Sequence, residues 1–332
     1  MSVIRRREFV TLLGVAAAWP IAASAQQGGR MRRVGVLQAT AENDPETQAR
    51  TKAFRQGLAA LGWTEGRDIL IDYRYAAGDA ARIKAHAAEM VSAGLDLILA
   101  VSTPVVAALR QGGNPVPIVF VQVIDPIGQG FVASLARPGG DITGFAAFEP
   151  AMGTKWLAML KEIAPGLARV ALMFNPDTAP FARMFWEPVE DAAPSFDVKP
   201  IQAPVGDVGE IERAIEALAR DGNGGLMVLP DISATNHRDL IIALAARHRL
   251  PAVYPFRYFA ANGGLISYGS DVADVYRRAA SYVDRIFNGE KPSALPVQAP
   301  TKFELVINLK TAKALGIDVP ATLLARADET IE

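Results

Sequence analysis

Small hydroxyls, amides and carboxylates recur at one kind of place in this chain, directly after short apolar runs rich in branched residues. Leu97-Ile98-Leu99-Ala100-Val101 stops at Ser102-Thr103-Pro104. Val34–Leu37 leads to Ala39-Thr40, and Ile118–Val123 leads to Asp125-Pro126. Further on, Arg169–Phe174 ends at Asn175-Pro176-Asp177, Leu226–Leu229 at Pro230-Asp231, and Ala252–Tyr254 at Pro255. Such residues suit a zwitterion. Ser102, Thr103 and the first N–H groups of a following helix would take a carboxylate, helped by the helix dipole. Asp125 or Asp231 would pair with an ammonium group, while Thr40 and Asn175 stand at equivalent strand ends. Phe148, Tyr254 and Tyr268 would pack on an apolar side chain. Each has a plainer reading beside it. Ser or Thr followed by Pro is an ordinary helix start, Asp-Pro and Asn-Pro open turns, and aromatic residues commonly fill cores.

Signals for catalysis are poor. Of the three histidines, His86, His237 and His248, none lies three or four residues from another, so a histidine metal site is not expected. The absence of cysteine removes disulfides, thiol catalysis and cysteine-bound zinc. Neither a nucleophile elbow nor a phosphate or dinucleotide loop is present. The sequence therefore implies no cofactor and no enzyme. An exported hydrolase stays open as a rival, because a pair of carboxylates needs no motif.

The elements that must position these residues follow from periodicity. Strand-like runs alternate with amphipathic helical stretches from Arg32 onward, which implies parallel sheets covered on both faces. The pattern restarts near residue 147, and 332 residues exceed one ordinary core. The expectation is an α/β protein of two Rossmann-like lobes, residues 31–146 plus about 264–292 and residues 147–263 plus about 293–332. In open parallel sheets ligands bind beyond the carboxyl ends of the strands, so facing lobes would line one cleft with the residues above.

Residues 1–25 read as a targeting segment. Arg5-Arg6-Arg7 precede the short apolar stretch Val10–Ala18, and Ala23-Ser24-Ala25 is a small-residue cleavage site. The arginine pair fits the twin-arginine export pattern without the Ser or Thr that precedes it there, and general secretion is the alternative route. A membrane anchor would need about 20 apolar residues. Cleavage after about Ala25 and a periplasmic location are expected. With 34 basic and 35 acidic residues there is no basic stripe for nucleic acid.

Longer stretches carry a family likeness. "RRREFVTLLG" with "AAAWPIAASAQQ", then "SLARPGGDITGF", "GGLISYGSD" and the tail "LPVQAPTKFELVINLKTAKALGIDVPATLLARADETIE" resemble bacterial ABC-transporter substrate-binding proteins of the type I periplasmic binding-protein fold. The group includes tryptophan/tyrosine-type amino-acid binders. This resemblance implies two α/β lobes joined by a three-segment hinge, closing on a small ligand such as an aromatic or branched amino acid, or a small carboxylate. It also implies a monomer that meets the membrane only through an ABC permease and its ATPase. Ser102 and Thr103 fall where family members bind ligand carboxylates, and Asp125 and Asp231 suit the ligand's polar end. A sensing subunit that presents its closed form to a membrane receptor is the alternative.

Overall fold

Apolar strands and capped helices build two lobes in the computed structural model, which describes residues 30–332 apart from 112, 114 and 221. The targeting segment lies outside the described residues. The first sheet holds β1 (Arg32–Gln38), β2 (Ile69–Tyr75), β3 (Leu97–Val101), β4 (Ile118–Val123) and β5 (Ile142–Ala146), parallel throughout in the order β2-β1-β3-β4-β5. Its strands are buried on both faces, which is why they read as continuous apolar runs. Leu97, Leu99 and Val101 of β3 face helices Pro45–Ala60 and Val272–Phe287, while Ile98 and Ala100 face helices Ala80–Ser92 and Thr103–Gln111.

The second sheet joins β6 (Arg169–Phe174), β7 (Lys199–Pro204), β8 (Gly224–Val228), β9 (Ala252–Tyr254), β10 (Ile266–Ser270), β11 (Phe303–Asn308) and β12 (Glu329–Ile331). Their order is β12-β11-β10-β9-β8-β6-β7, with only the β10–β11 pair antiparallel among the described strands. One continuous apolar core serves this lobe.

The chain passes between lobes after β5, between β10 and helix Val272–Phe287, and again before β11. These points shift the expected lobe boundaries. β10 belongs to the second sheet, not the first lobe, because it pairs with β9 and β11. Residues 293–298 stay with the first lobe, since Leu295 and Val297 enter its cores and Gln298 bridges Phe145. Helix Val272–Phe287 packs tightly on helix Pro45–Ala60. A Cβ at Gly57 would meet the Arg277 carbonyl at 2.6 Å and the Ala280 methyl at 2.8 Å. The second and third crossings are tied together, for Lys302 Nζ reaches Asp271 at 3.0 Å and Glu304 at 3.2 Å. Periodicity also suggests a helix over 127–136. The structure has turns there instead, stopped by Pro126, Gly128 and Gly130, the last at φ +68°.

Candidate functional site

The carboxyl ends of β3 and β4 meet those of β6, β8 and β9 across the cleft. Between them lies a cavity of about 40 Å³. Pockets for drug-sized ligands run roughly 300–1,000 Å³, so an amino acid requires the lobes farther apart than they stand here.

From the first lobe, Thr40, Arg50, Ser102, Thr103 and Gln122 line the cavity. Ser102 sits at φ +87°, a conformation costly for a residue with a Cβ. Its N–H is used by the Val121 carbonyl at 3.0 Å, but its Oγ is buried without a hydrogen-bond partner. Thr103 plays a different part: its Oγ1 accepts the Ile124 N–H at 3.0 Å and ties β3 to the end of β4. Pro104 removes one of the N–H groups an anion would use at this helix start. Gln122, at φ +56°, accepts the Tyr276 hydroxyl at 3.3 Å.

The second lobe contributes rings and a carboxylate. Phe148, Phe181, Phe256 and Tyr258 wall one side, and Asp231, Thr178 and Thr235 form the polar part. Asp231 caps helix Ile232–Asn236. It accepts the Ser233 N–H at 2.6 Å, the Asn175 N–H at 2.7 Å and the Thr178 hydroxyl at 2.7 Å. Burial pushes its carboxyl above the ordinary range despite those hydrogen bonds. The Ala234 N–H is directed at the same carboxylate, so Asp231 is held almost wholly by donors of its own lobe.

Arg50 is the largest feature the strand-end argument does not find. It is 5 % exposed, with its guanidinium 5.3 Å from the Tyr258 ring and 6.0 Å from the Phe256 ring. The signal is an arginine one turn before Phe54 on the buried stripe of the helix, the one charge among Thr47, Ala53, Phe54, Gly57 and Leu58. Phe256 and Tyr258 are missed by a smaller margin, just beyond the end of β9.

Four expected residues do not line the cavity. Asp125, at φ +51°, turns back to accept the Gly128 N–H at 2.9 Å, which is turn chemistry. Asn175 lies behind the wall, where its backbone holds Asp231 and its Oδ1 accepts the Asp177 N–H. Tyr254 is fully buried and stacks on Phe259 at 5.0 Å, since β9 is covered on both faces. Tyr268 stacks on Phe303 at 5.7 Å on β10, away from the cavity.

One ion pair spans the lobes beside the cavity. Asp44 Oδ1 lies 2.8 Å from Arg238 Nη2, and both side chains are largely buried. Asp44 also accepts the Thr47 N–H and hydroxyl, and Thr47 in turn shares a 2.6 Å hydrogen bond with Thr40 of the cavity wall. Burial raises the Asp44 carboxyl, but the Thr47 hydrogen bonds and the Arg238 charge outweigh it and hold it below its ordinary value. A depressed carboxyl stabilises the arrangement above about pH 4 and loses that contribution as pH falls further. Asp44→Asn should therefore enlarge the radius of gyration at pH 7, measured by small-angle scattering. Wild type should approach the variant's value as pH falls toward about 3. Equal radii at pH 7 would remove Asp44 from closure.

Comparison with known proteins agrees with this architecture. Residues 33–331 match the family described as ABC transporter substrate binding protein. A tyrosine-binding protein of Clostridioides difficile (strain R20291) is 24% identical over 289 residues, covering 87% of this chain and 82% of that protein. The crystal structure of a conserved domain protein from Vibrio cholerae O1 biovar El Tor is 28% identical with a TM-score of 0.84, over 91% of this chain and 100% of that one. An ABC domain from Streptococcus pneumonia in complex with L-Trp is 22% identical with a TM-score of 0.82, again over 91% and 100%. With the family match spanning nearly every described residue, the chain belongs to the ABC transporter substrate binding protein family and is a solute-binding protein of the type I periplasmic fold, not an enzyme.

Proposed function

We propose that this protein is exported and serves an ABC importer, closing its two lobes on an aromatic L-amino acid and delivering it to the permease. The observation that carries this reading is the make-up of the interlobe cavity. Four rings from one lobe stand beside a buried carboxylate, and the other lobe offers an unpartnered serine hydroxyl. An aromatic side chain packs among Phe148, Phe181, Phe256 and Tyr258. Its ammonium faces the charge of the Asp231 carboxylate, and its carboxylate turns toward Ser102. The tyrosine-binding relative and the L-Trp complex support the same ligand class. The segment Arg5–Ala25 supports export. Among the described residues no helix is long and apolar enough to cross a membrane.

A thermal-shift and calorimetry series with Trp, Tyr, Phe, Leu and glycine tests the proposal, on protein unfolded and refolded to strip carried ligand. At a hundredfold excess over its Kd, a true ligand adds about 2.7 kcal/mol to the folded state. The aromatic amino acids should stabilise and glycine should not. Stabilisation by leucine alone would move the assignment to branched ligands. Silence across the series would end the amino-acid reading.

A further inference from the structure

Helix Pro45–Ala60 turns Phe54, Gly57 and Leu58 into the first-lobe interior, and Arg50 lies one turn earlier on the same stripe. A buried arginine is ordinarily held by a carboxylate or by carbonyls, as Arg238 nearby is held by Asp44. Arg50 forms no ion pair with any described carboxylate, and its buried Nε and Nη2 have no hydrogen-bond partner. The rings of Phe256 and Tyr258 attract its charge through their faces, and the Tyr258 hydroxyl engages the guanidinium as well, but neither serves Nε or Nη2. Those rings come from the opposite lobe, so it is lobe closure that buries this guanidinium against them.

Beside it in the cavity, Ser102 Oγ is buried and unpartnered as well. Among the acceptors on the cavity wall, Gln122 Oε1 is engaged by Tyr276, and Asp231 is held by donors of its own lobe. Arg50 Nε and Nη2 and the Ser102 hydroxyl thus stand in the first lobe without an acceptor of the protein's own. A flat guanidinium edge matches a carboxylate in two parallel bonds.

We propose that Arg50 is the receptor for the ligand's carboxylate and that this contact is what makes closure depend on ligand. It rests on the aromatic amino-acid reading of the site and adds an orientation to it, carboxylate toward the first lobe and ammonium toward the second. Closing on an amine leaves Arg50 Nε and Nη2 stripped of water with nothing to bond. Closing on a carboxylate satisfies them.

Three indole compounds separate the possibilities: L-tryptophan, tryptamine, which lacks the carboxylate, and indole-3-propionate, which lacks the ammonium. Calorimetry gives affinity and small-angle scattering gives closure, on wild type, Arg50→Gln and Arg50→Lys. In wild type, tryptophan and indole-3-propionate should both contract the protein, while tryptamine binds at least tenfold more weakly and leaves it open. Arg50→Gln should lose at least tenfold in affinity for both carboxylates yet keep its tryptamine affinity, and Arg50→Lys should recover part of the loss. Melting curves without ligand establish that the variants fold, and the retained tryptamine affinity does so independently. Carboxylate affinity and contraction equal to wild type in Arg50→Gln would overturn the proposal while leaving the aromatic reading standing. Failure of wild type to bind any of the three would overturn that reading and this proposal with it.

Discussion

Asp231→Ala should abolish ligand binding and destabilise the second lobe by about 3–5 kcal/mol, the range for removing one partner from a buried charged contact. The reason is what the carboxylate holds. Without it the Asn175 and Ser233 N–H groups and the Thr178 hydroxyl lose their acceptor together, and each buried orphan costs about 1–3 kcal/mol. Water entering the small cavity offsets part of the sum. Asp231→Asn should be milder, because one amide oxygen still serves Ser233 and Thr178, although the amide N–H₂ then opposes the Asn175 N–H. The pH dependence separates charge from shape. Burial raises the Asp231 carboxyl above its unfolded value. Its contribution is then fully present below about pH 4 and declines as pH rises through the raised folded value. Asp231→Asn carries no such decline, so the stability gap between the two proteins should narrow from pH 4 toward neutrality. Urea unfolding followed by tryptophan fluorescence at several pH values measures this. A gap that widens over that interval would show the ionised carboxylate to be favoured by its donors instead of penalised by burial.

The same aspartate shows how far the sequence is legible. Asp231 and Asp125 carry the same signal, an acid beside a proline at the end of an apolar run, yet one faces the cleft and the other closes a turn on Gly128. Position past a strand fixes which end of the sheet a residue occupies. Side-chain direction depends on the local turn, and Asp125 enters the left-handed region where Asp231 stays extended. Around β9 the difficulty is that the strand is covered on both faces, so no alternation marks which residue leaves the core. Tyr254 ends the strand facing the core, and the cavity takes Phe256 and Tyr258, which come after it. Ser102 and Thr103 are found because strand, hydroxyls and helix follow without a gap. Arg50 lies in mid-helix, where the only trace is a charge on the stripe of Phe54 and Leu58. Crossing points are hidden for another reason: β10 leads into helix Val272–Phe287 through Asp271 alone, so nothing in composition marks the change of lobe.

Trp156→Ala is expected to cost about 3–5 kcal/mol, the range for truncating a buried aromatic residue, and to weaken aromatic ligands without touching them. Trp156 is 1 % exposed and donates its indole N–H to the Tyr268 carbonyl at 2.7 Å. Its ring lies 5.6 Å from Phe148 and 5.3 Å from Phe185, and Phe148 in turn packs 5.5 Å from Phe256. Truncation therefore opens space behind the aromatic wall of the cavity, and Phe148 can fall back into it. It also leaves an unpaired carbonyl on β10, two residues before that strand ends at Ser270 and the chain crosses to the first lobe. Trp156→Phe separates the two effects, for it keeps a ring behind Phe148 and removes only the hydrogen bond, at a cost of about 1 kcal/mol from that bond. If ring support governs the site, Trp156→Phe binds an aromatic amino acid within about threefold of wild type, roughly 0.7 kcal/mol. Trp156→Ala then loses at least tenfold. Equal losses would place the effect in the tie to β10, because both variants break it. Urea unfolding with calorimetry on the same samples gives both numbers, and their ratio decides whether the wall or the crossing strand sets the ligand's fit.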